Sequence, residues 1–496
     1  MTRPMSLATL ALLTFAPAAL ADTAKTPCLI ELVDGRRVPS TMAVELNGRI
    51  VARSPKGLAQ SFAKAEIHAI TENGRRRVLN PRRALTPAEQ AARSEAVWGD
   101  AAEGLGHTPP YAAQEWPAAR LLVWAKPGQG GHGGDGDRWV EFPAAGGPAR
   151  PARNGPDKDT DLLLPASDKG YTVTAKRDVL RHVTIERGAS LRGEHWHGEV
   201  HLSGNTWLKP GGRCMYMRFI GPGHTVFRRD DRTGENDPYN GAHAITHRLM
   251  ILKHEGGSLE FFGVNSTEDE VMLYSGTMYL NDKFYYNTKT RTGVFAIFEG
   301  ATLEMRPGAV LATGKPATRM GLNFSVYNGA LLRAGSKDVP LTENAYILLG
   351  WQGKPTDRQS GFYMAGGSRM EVHSADPAKA RLVFSAVNDE PDRPGRRKTD
   401  GPGKGHGIML HLAGHTEGLT GVGFNHVRKG GIHMTDLAAA KTWKHVWYGR
   451  ENAAGAEGLF AAMVLSEDEY HPHKPGQNRG WVERQTTNAM KAYKPE

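Results

Sequence analysis

The segments "IERGASL" (Ile185–Leu191), "KHEGGSL" (Lys253–Leu259), "FEGATL" (Phe298–Leu303) and "YNGALL" (Tyr327–Leu332) share one pattern. Each has a glycine, a small residue, one variable position and a leucine that opens a run of alternating character. Glycine accepts the left-handed backbone of a tight turn, and alternation sends every second side chain to one face of a strand. "AGGSRM" (Ala365–Met370) and "LAGHTEGL" (Leu412–Leu419) are weaker copies. Turns feeding short period-2 strands, repeated without helical periodicity, predict a stacked β-solenoid. The pairs His426-Val427 and His445-Val446 stand 19 positions apart, which predicts a coil of that size. Intervals between the other copies are irregular, as expected where loops of different length leave the coil.

Composition agrees with short strands. The 496 residues include 59 glycines and 30 prolines and are 39% hydrophobic, a balance that favours turns over long helices. Two cysteines, Cys28 and Cys214, are too few for a disulfide scaffold. Arg3, the apolar run Leu7–Phe15 and Ala19-Leu20-Ala21 ahead of Asp22 have the form of an export signal. They predict removal of residues 1–21 and a secreted or periplasmic location. No later stretch approaches the roughly 20 apolar residues of a membrane helix, so the mature chain is expected to have no transmembrane segment. The formal charge of +10 favours anionic partners, and in that location a polysaccharide or cell-envelope component is expected and nucleic acid is not.

Along the chain, residues 22–80 alternate apolar runs with turn signals at Asp34-Gly35, Asn47-Gly48 and Pro55-Lys56-Gly57. About five short strands are expected there, as a small SH3-like β unit. Residues 81–156 read as a short helix after Thr86-Pro87 and then a Gly/Pro-rich junction containing Trp124 and Trp139. Residues 157–465 carry the predicted β-helix, and 466–496 a polar tail.

The repeats, together with "FEGATLEMRPGAVL" (Phe298–Leu311) and "GVGFNHVRKGGIHM" (Gly421–Met434), are similar to those of right-handed parallel β-helices of the pectin-lyase-like group of extracellular carbohydrate-active proteins. The lead-in "DTDLLLPASDKGYTVTAKRDVLRHVTIERGASL" (Asp159–Leu191) resembles the first strands of G8-type modules. The resemblance implies an all-β, right-handed parallel β-helix and a carbohydrate ligand. It carries no particular reaction.

Glycosidases of that group use paired carboxylates helped by a histidine and a basic pair. Here Asp230, Asp231, His406 and the basic pair Arg428-Lys429 match those residue types, but 175 residues separate Asp231 from His406. A β-elimination lyase needs a base beside a cation that neutralises a uronate. "RRDDRTGENDPYNG" (Arg228–Gly241) offers oxygen ligands that suit calcium, although no cofactor is required by the sequence. "NDEPDRPGRRKTDGPGKGHG" (Asn388–Gly407) supplies Arg393, Arg396, Arg397 and Lys398. Asp230, Asp231, Arg396 and His406 are therefore the catalytic candidates, and Arg393, Arg397, Lys398, Arg428 and Lys429 the substrate-binding candidates. In "GEHWHGEVHL" (Gly193–Leu202), an extended chain puts His195, His197, Glu199 and His201 on one side, a metal-capable set that also reads as a solvated strand face. Tyr274, Tyr279, Phe284, Tyr285, Tyr286, Trp351 and Trp447 are candidate sugar platforms, or core. Two functional classes stay open: a polysaccharide lyase or hydrolase, and a non-catalytic adhesive or envelope solenoid.

Overall fold

A computed structural model describes residues 28–86 apart from 56, 116–229 apart from 177–178, 195–199, 210 and 216, the greater part of 245–385, and separate strands between 408 and 461. Seven strands between Cys28 and Val78 form two small antiparallel sheets. The four-stranded sheet runs Arg37–Ser40, Cys28–Leu32, Ile67–Glu72, Arg75–Val78, and the three-stranded one Met42–Leu46, Arg49–Arg53, Ala59–Ala63. Seven strands form where five were expected, because Asn73-Gly74 closes another hairpin. Both its residues have positive φ (53° and 73°), as do Asn47-Gly48 (51° and 73°), the signature of a type I′ turn. Ile30, Ile50, Phe62, Ile67 and Cys28 fill the core of this unit. The helix expected after Thr86 lies outside the described residues.

The described remainder is a parallel coil stack with three faces. Face one runs from Arg120–Trp124 through Thr160–Leu164, Val183–Ile185, Thr206–Leu208 and His224–Arg229, and later through Ala301–Met305, Leu331–Ala334 and Arg369–Val372. Face two includes Val200–Leu202, Met217–Gly221, Gly293–Ile297, Leu322–Val326 and Ile408–Leu412. Face three begins with Tyr171–Ala175 and Ala189–Gly193 and continues through Lys283–Tyr286, Val310–Thr313 and Ala345–Leu348. The two longest strands, Ser258–Thr267 and Val271–Leu280, each turn a corner between faces, at Gly263 and Gly276, both with positive φ. The fold is thus an all-β parallel solenoid. Strand Trp139–Phe142 runs antiparallel against the first coil, and Glu457–Ala461 antiparallel against His445–Gly449. Such strands cover edges that would otherwise offer unpaired backbone groups.

Coil length varies widely: along face one, 19 residues separate Thr206 from its partner Thr225, whereas 46 separate Arg369 from His415. The glycine repeat marks corners, but not one corner. Gly188 and Gly308 turn the chain from face one to face three, while Gly300 and Gly329 turn it from face two into face one. At Gly188 a side chain would also collide with the Ser167 carbonyl, at 2.1 Å from an added β-carbon. The His-Val pairs are not equivalent either, since Val427 opens a face-two strand and His445-Val446 lie on face three. Their spacing is therefore not a coil length.

Inside, the apolar side chains of each strand stack on those of the next coil. Phe295, Phe324 and Phe362 are in register on face two, with ring centroids 5.2 and 5.7 Å apart. Phe227 and Phe261 stack at 4.5 Å on face one. Full burial of a phenylalanine contributes on the order of 1.5–3 kcal/mol, so these ladders dominate the cohesion of neighbouring coils. Cys28 and Cys214 are both buried free thiols, one in the small unit and one in the solenoid core. Among the described residues, no helix is long and apolar enough to cross a membrane.

The small unit docks on the outer surface of face one. Val51 and Ala59 pack on Leu121, Val123 and Leu163, and Leu58 packs on Trp207 and Val226. Two buried ion pairs hold the same contact. Asp161 accepts hydrogen bonds from Arg181, at 2.6 and 3.0 Å, and from Arg53 of the small unit. Glu186 accepts from Lys209 at 2.9 Å, from the Ser61 backbone N–H at 2.8 Å and from the Ser61 hydroxyl. Burial disfavours the Glu186 anion, and Lys209 overcomes it, so the carboxyl titrates below its usual range. Removing one partner of such a pair strands a charge away from water. Asp161→Ala is expected to lower the unfolding free energy by roughly 3–5 kcal/mol, measured by urea denaturation; a loss below about 1 kcal/mol would mean that water reaches Arg53 and Arg181.

His182 lies against the Pro55–Gly57 turn, with an added β-carbon at Gly57 only 3.0 Å from its ring. Its Nδ1 accepts the Asn205 backbone N–H at 2.8 Å. Burial, with the Arg181 and Arg53 charges, pushes the imidazole down to about 3 against the pull of Asp161. The unfolded ring takes a proton near pH 6.5 and the folded ring does not, so stability falls as pH drops from about 6.5 towards 3. The expected slope from this group is about 1.4 kcal/mol per pH unit. Unfolding curves between pH 7 and 4 should be flatter for His182→Gln than for the parent; equal slopes would remove His182 as the cause.

Candidate functional site

Past Val226, the outward position at the middle of each face-one strand changes chemistry. Trp207 and Val226, which meet the small unit, are followed in strict register by Glu260, Tyr279, Glu304, Arg333 and Glu371. Each stands between two inward apolar residues: Leu259 and Phe261, Met278 and Leu280, Leu303 and Met305, Leu332 and Ala334, Met370 and Val372. Parallel strands lie about 4.8 Å apart, so the five side chains form one column roughly 19 Å long.

Glu260 anchors its upper end. It is fully buried, accepts from Asn281 Nδ2 at 3.0 Å, and its other oxygen lies 3.3 Å from His224 Nε2. His224 Nδ1 in turn contacts the Ser258 hydroxyl. With serine, histidine and glutamate all buried, this chain fixes Glu260 and offers no nucleophile to solvent.

Lower down, charges alternate. Arg306 Nη2 lies 3.0 Å from Glu304 Oε1, and its guanidinium sits 5.2 Å from the centre of the Tyr279 ring. Arg333 reaches Glu304 at 3.5 Å and donates from Nε to Glu371 at 2.8 Å. Arg369 donates to the other Glu371 oxygen at 2.8 Å, with His373 Nε2 at 3.7 Å from the carboxylate. Burial disfavours ionised Glu371, but Arg333 and Arg369 overcome it and hold the carboxyl below its ordinary range. Burial, followed by the Glu304 charge, raises the Tyr279 phenol. A phenol in that state gives up a proton poorly, so Tyr279 is suited to donating a hydrogen bond and unsuited to acting as a base. Glu304 and Glu371 are buried, while the Arg333 and Arg369 side chains are 31% and 52% exposed. The column therefore presents guanidinium groups to solvent on a floor of buried carboxylates.

The candidates of the sequence fall elsewhere. His195, His197, Glu199, Asp230, Asp231, Arg393, Arg396, Arg397, Lys398 and His406 lie outside the described residues. His201 is half-buried on Val200–Leu202 and in register with Arg218, whose charge, after burial, lowers the imidazole. A metal cation there would meet that same charge. Among the described residues no three His, Cys, Asp or Glu side chains gather as a metal site. Arg428 and Lys429 belong to the face-two strand Val427–Met434. The strands flanking the two polar loops, His224–Arg229 and Ile408–Leu412, stand five coils apart, about 24 Å along the axis.

The aromatic candidates divide. Phe284 is in the solenoid core, and Tyr285 is buried beside Val310 and Ala312. Tyr274 stacks on Phe298 at 4.7 Å and Phe298 on Tyr327 at 4.9 Å, nearly parallel. Both faces of Phe298, and one face each of Tyr274 and Tyr327, are covered in this way, which ties the coil corner together. Trp351 lies outside the described residues, and Trp447 is on the strand His445–Gly449.

Comparison with known proteins finds no family model, no curated protein and no solved structure that matches the chain. The signal for the column was nonetheless present in the sequence: a polar residue between two apolar ones in "LEF", "MYL", "LEM", "LRA" and "MEV". In four repeats a glycine, Gly256, Gly300, Gly329 or Gly367, stands four positions before the column residue Glu260, Glu304, Arg333 or Glu371, whereas in "IERGASL" Gly188 turns a different corner and breaks the alignment. Arg333→Ala is expected to cost about 1–3 kcal/mol, since it leaves two buried carboxylates with one partner fewer each. Arg333→Lys should recover only part of this in thermal denaturation, because one ammonium cannot fork between Glu304 and Glu371.

Proposed function

We propose that the chain is an exported, pectin-lyase-like β-helix protein that binds an anionic polysaccharide along the outer surface of face one. The observation that carries this reading is the guanidinium pair of half-buried Arg333 and exposed Arg369, held in place by buried Glu304 and Glu371. A planar fork fixed in advance loses little freedom when it meets a uronate or sulfate. The excess of basic residues, +10 over the chain, adds long-range attraction for a polyanion. A polymer lying across stacked coils meets the same kind of position at each step, which suits a repeating ligand.

Binding has more support than turnover. Each described carboxylate of the lower column is taken up by a basic neighbour, and Tyr279, its phenol raised by burial and the Glu304 charge, is suited to donating a hydrogen bond. Cleavage would draw on Asp230, Asp231, Arg396 and His406, with Arg393, Arg397, Lys398, Arg428 and Lys429 on the substrate and calcium at the acidic loop. The mutual neutralisation of Glu304, Arg306, Arg333 and Glu371 favours a second reading, a non-catalytic adhesive or envelope solenoid in which the column only ties coils together.

Titration of the purified protein with short polyuronate oligosaccharides, with and without calcium, separates these. Binding should weaken with salt, and about tenfold in Arg333→Ala/Arg369→Ala, the loss of one or two charge-assisted contacts. Release of unsaturated products or reducing ends would add catalysis. Parent and variant binding equally, or neither binding, would leave the structural reading.

A further inference from the structure

The small unit carries a second charged surface, on a different sheet from the column. Strand Arg75–Val78 is the outer strand of the four-stranded sheet, paired on one side to Ile67–Glu72 and on its other side to no strand among the described residues. All four of its residues are exposed, as is Arg82. Successive strand residues point to opposite faces, so Arg75 and Arg77 project to one side and Arg76 to the other. On the Arg76 side, Glu31 bridges two guanidinium groups: Arg76 Nη2 at 3.1 Å and Arg82 Nη2 at 2.7 Å, both to Oε2. Arg37 stands across the sheet from Glu31. Five arginines thus surround two carboxylates, Glu31 and Glu72, the latter opposite Arg75. One or two charges suffice to keep an outer strand from pairing with another chain. Three consecutive arginines make both faces of this strand basic.

We propose that this arginine strand, Arg75–Val78 with Arg82, is a separate binding surface for a linear acidic polysaccharide. A thin polyanion running along the strand reaches the arginines of both faces at once. A flat lipid surface would meet those of one face only, and among the described residues of the small unit Val78 is the one large apolar side chain exposed to enter it (55%). The Glu31 bridge holds Arg76 and Arg82 together in advance, so the site stands formed before its ligand arrives. Its place on the small unit gives that unit a role besides covering face one: it adds a second grip on a long glycan, raising avidity without a new contact on the column.

The surface does not depend on the face-one reading, and the test keeps them apart. Long polygalacturonate serves as probe, with affinity electrophoresis of the full chain over a range of salt. The variants are Arg75→Glu/Arg77→Glu, both positions exposed, and Arg333→Ala/Arg369→Ala as the column control, each checked to be fully folded at the assay temperature. The expected result is that Arg75→Glu/Arg77→Glu weakens retention at low salt about tenfold or more and flattens its salt dependence, and weakens it further in the column-variant background. Retention equal to the parent would overturn the proposal while leaving the column reading standing. Capture on phosphatidylglycerol vesicles that depends on Arg75 and Arg77, with no such dependence for polygalacturonate, would also overturn it and make this a membrane-facing surface.

Discussion

Everything in the solenoid follows from parallel strands stacked in register, in which a residue at one position of a coil lies directly over its counterpart in the next. Inside, this converts single phenylalanines into ladders such as Phe295, Phe324 and Phe362. Outside, it converts single polar residues into a column, so that Glu260, Tyr279, Glu304, Arg333 and Glu371 act on one another although 111 positions separate the first from the last. Loops of any length can leave the corners because the register is set by strands. That freedom explains how coils of 19 and 46 residues coexist in one stack.

The outer surface of face one is divided by what covers it. Over the first coils the small unit supplies Val51, Leu58 and Ala59 against apolar outward residues, and Arg53 and Ser61 against Asp161 and Glu186. Ion pairs so deeply buried add little net stability over apolar packing, yet misdocking would leave them unpaired at high cost. They act to fix where the unit sits. Its apolar contact runs over Trp207 and Val226 to Phe262, on the same strand as Glu260, where the polar column starts. The small unit thereby closes one end of the surface on which a glycan is proposed to lie.

The architecture was legible from glycine turns and alternating strands, because both reflect local backbone chemistry. Register was not, because it is a relation between coils: "IERGASL" and "YNGALL" look alike but turn different corners, and the His-Val pairs fall on different faces. Charge-rich loops, with Asp230, Arg396 and His406, stand out in the sequence by composition. The column hides in plain strands, one polar residue at a time, and its members become a site only once stacked. Likewise the aromatic platforms were judged by residue type, while Tyr274 and Phe298 each spend a ring face on the other. Trp124 and Trp139, in the Gly/Pro-rich stretch, pack edge to face at 4.9 Å in the first coil.

The register of face one can be tested directly through Thr302 and Leu331, outward partners on neighbouring strands. Their α-carbons lie at strand spacing, about 4.8 Å, within the range a disulfide spans. With cysteines at both positions, mild oxidation should form the bond readily and leave melting behaviour at least as high as the parent's. A pairing of Thr302→Cys with Arg333→Cys, two residues further along, should resist oxidation. Ready cross-linking of the second pair and not the first would contradict the stacking of Glu304 on Arg333, and with it the column.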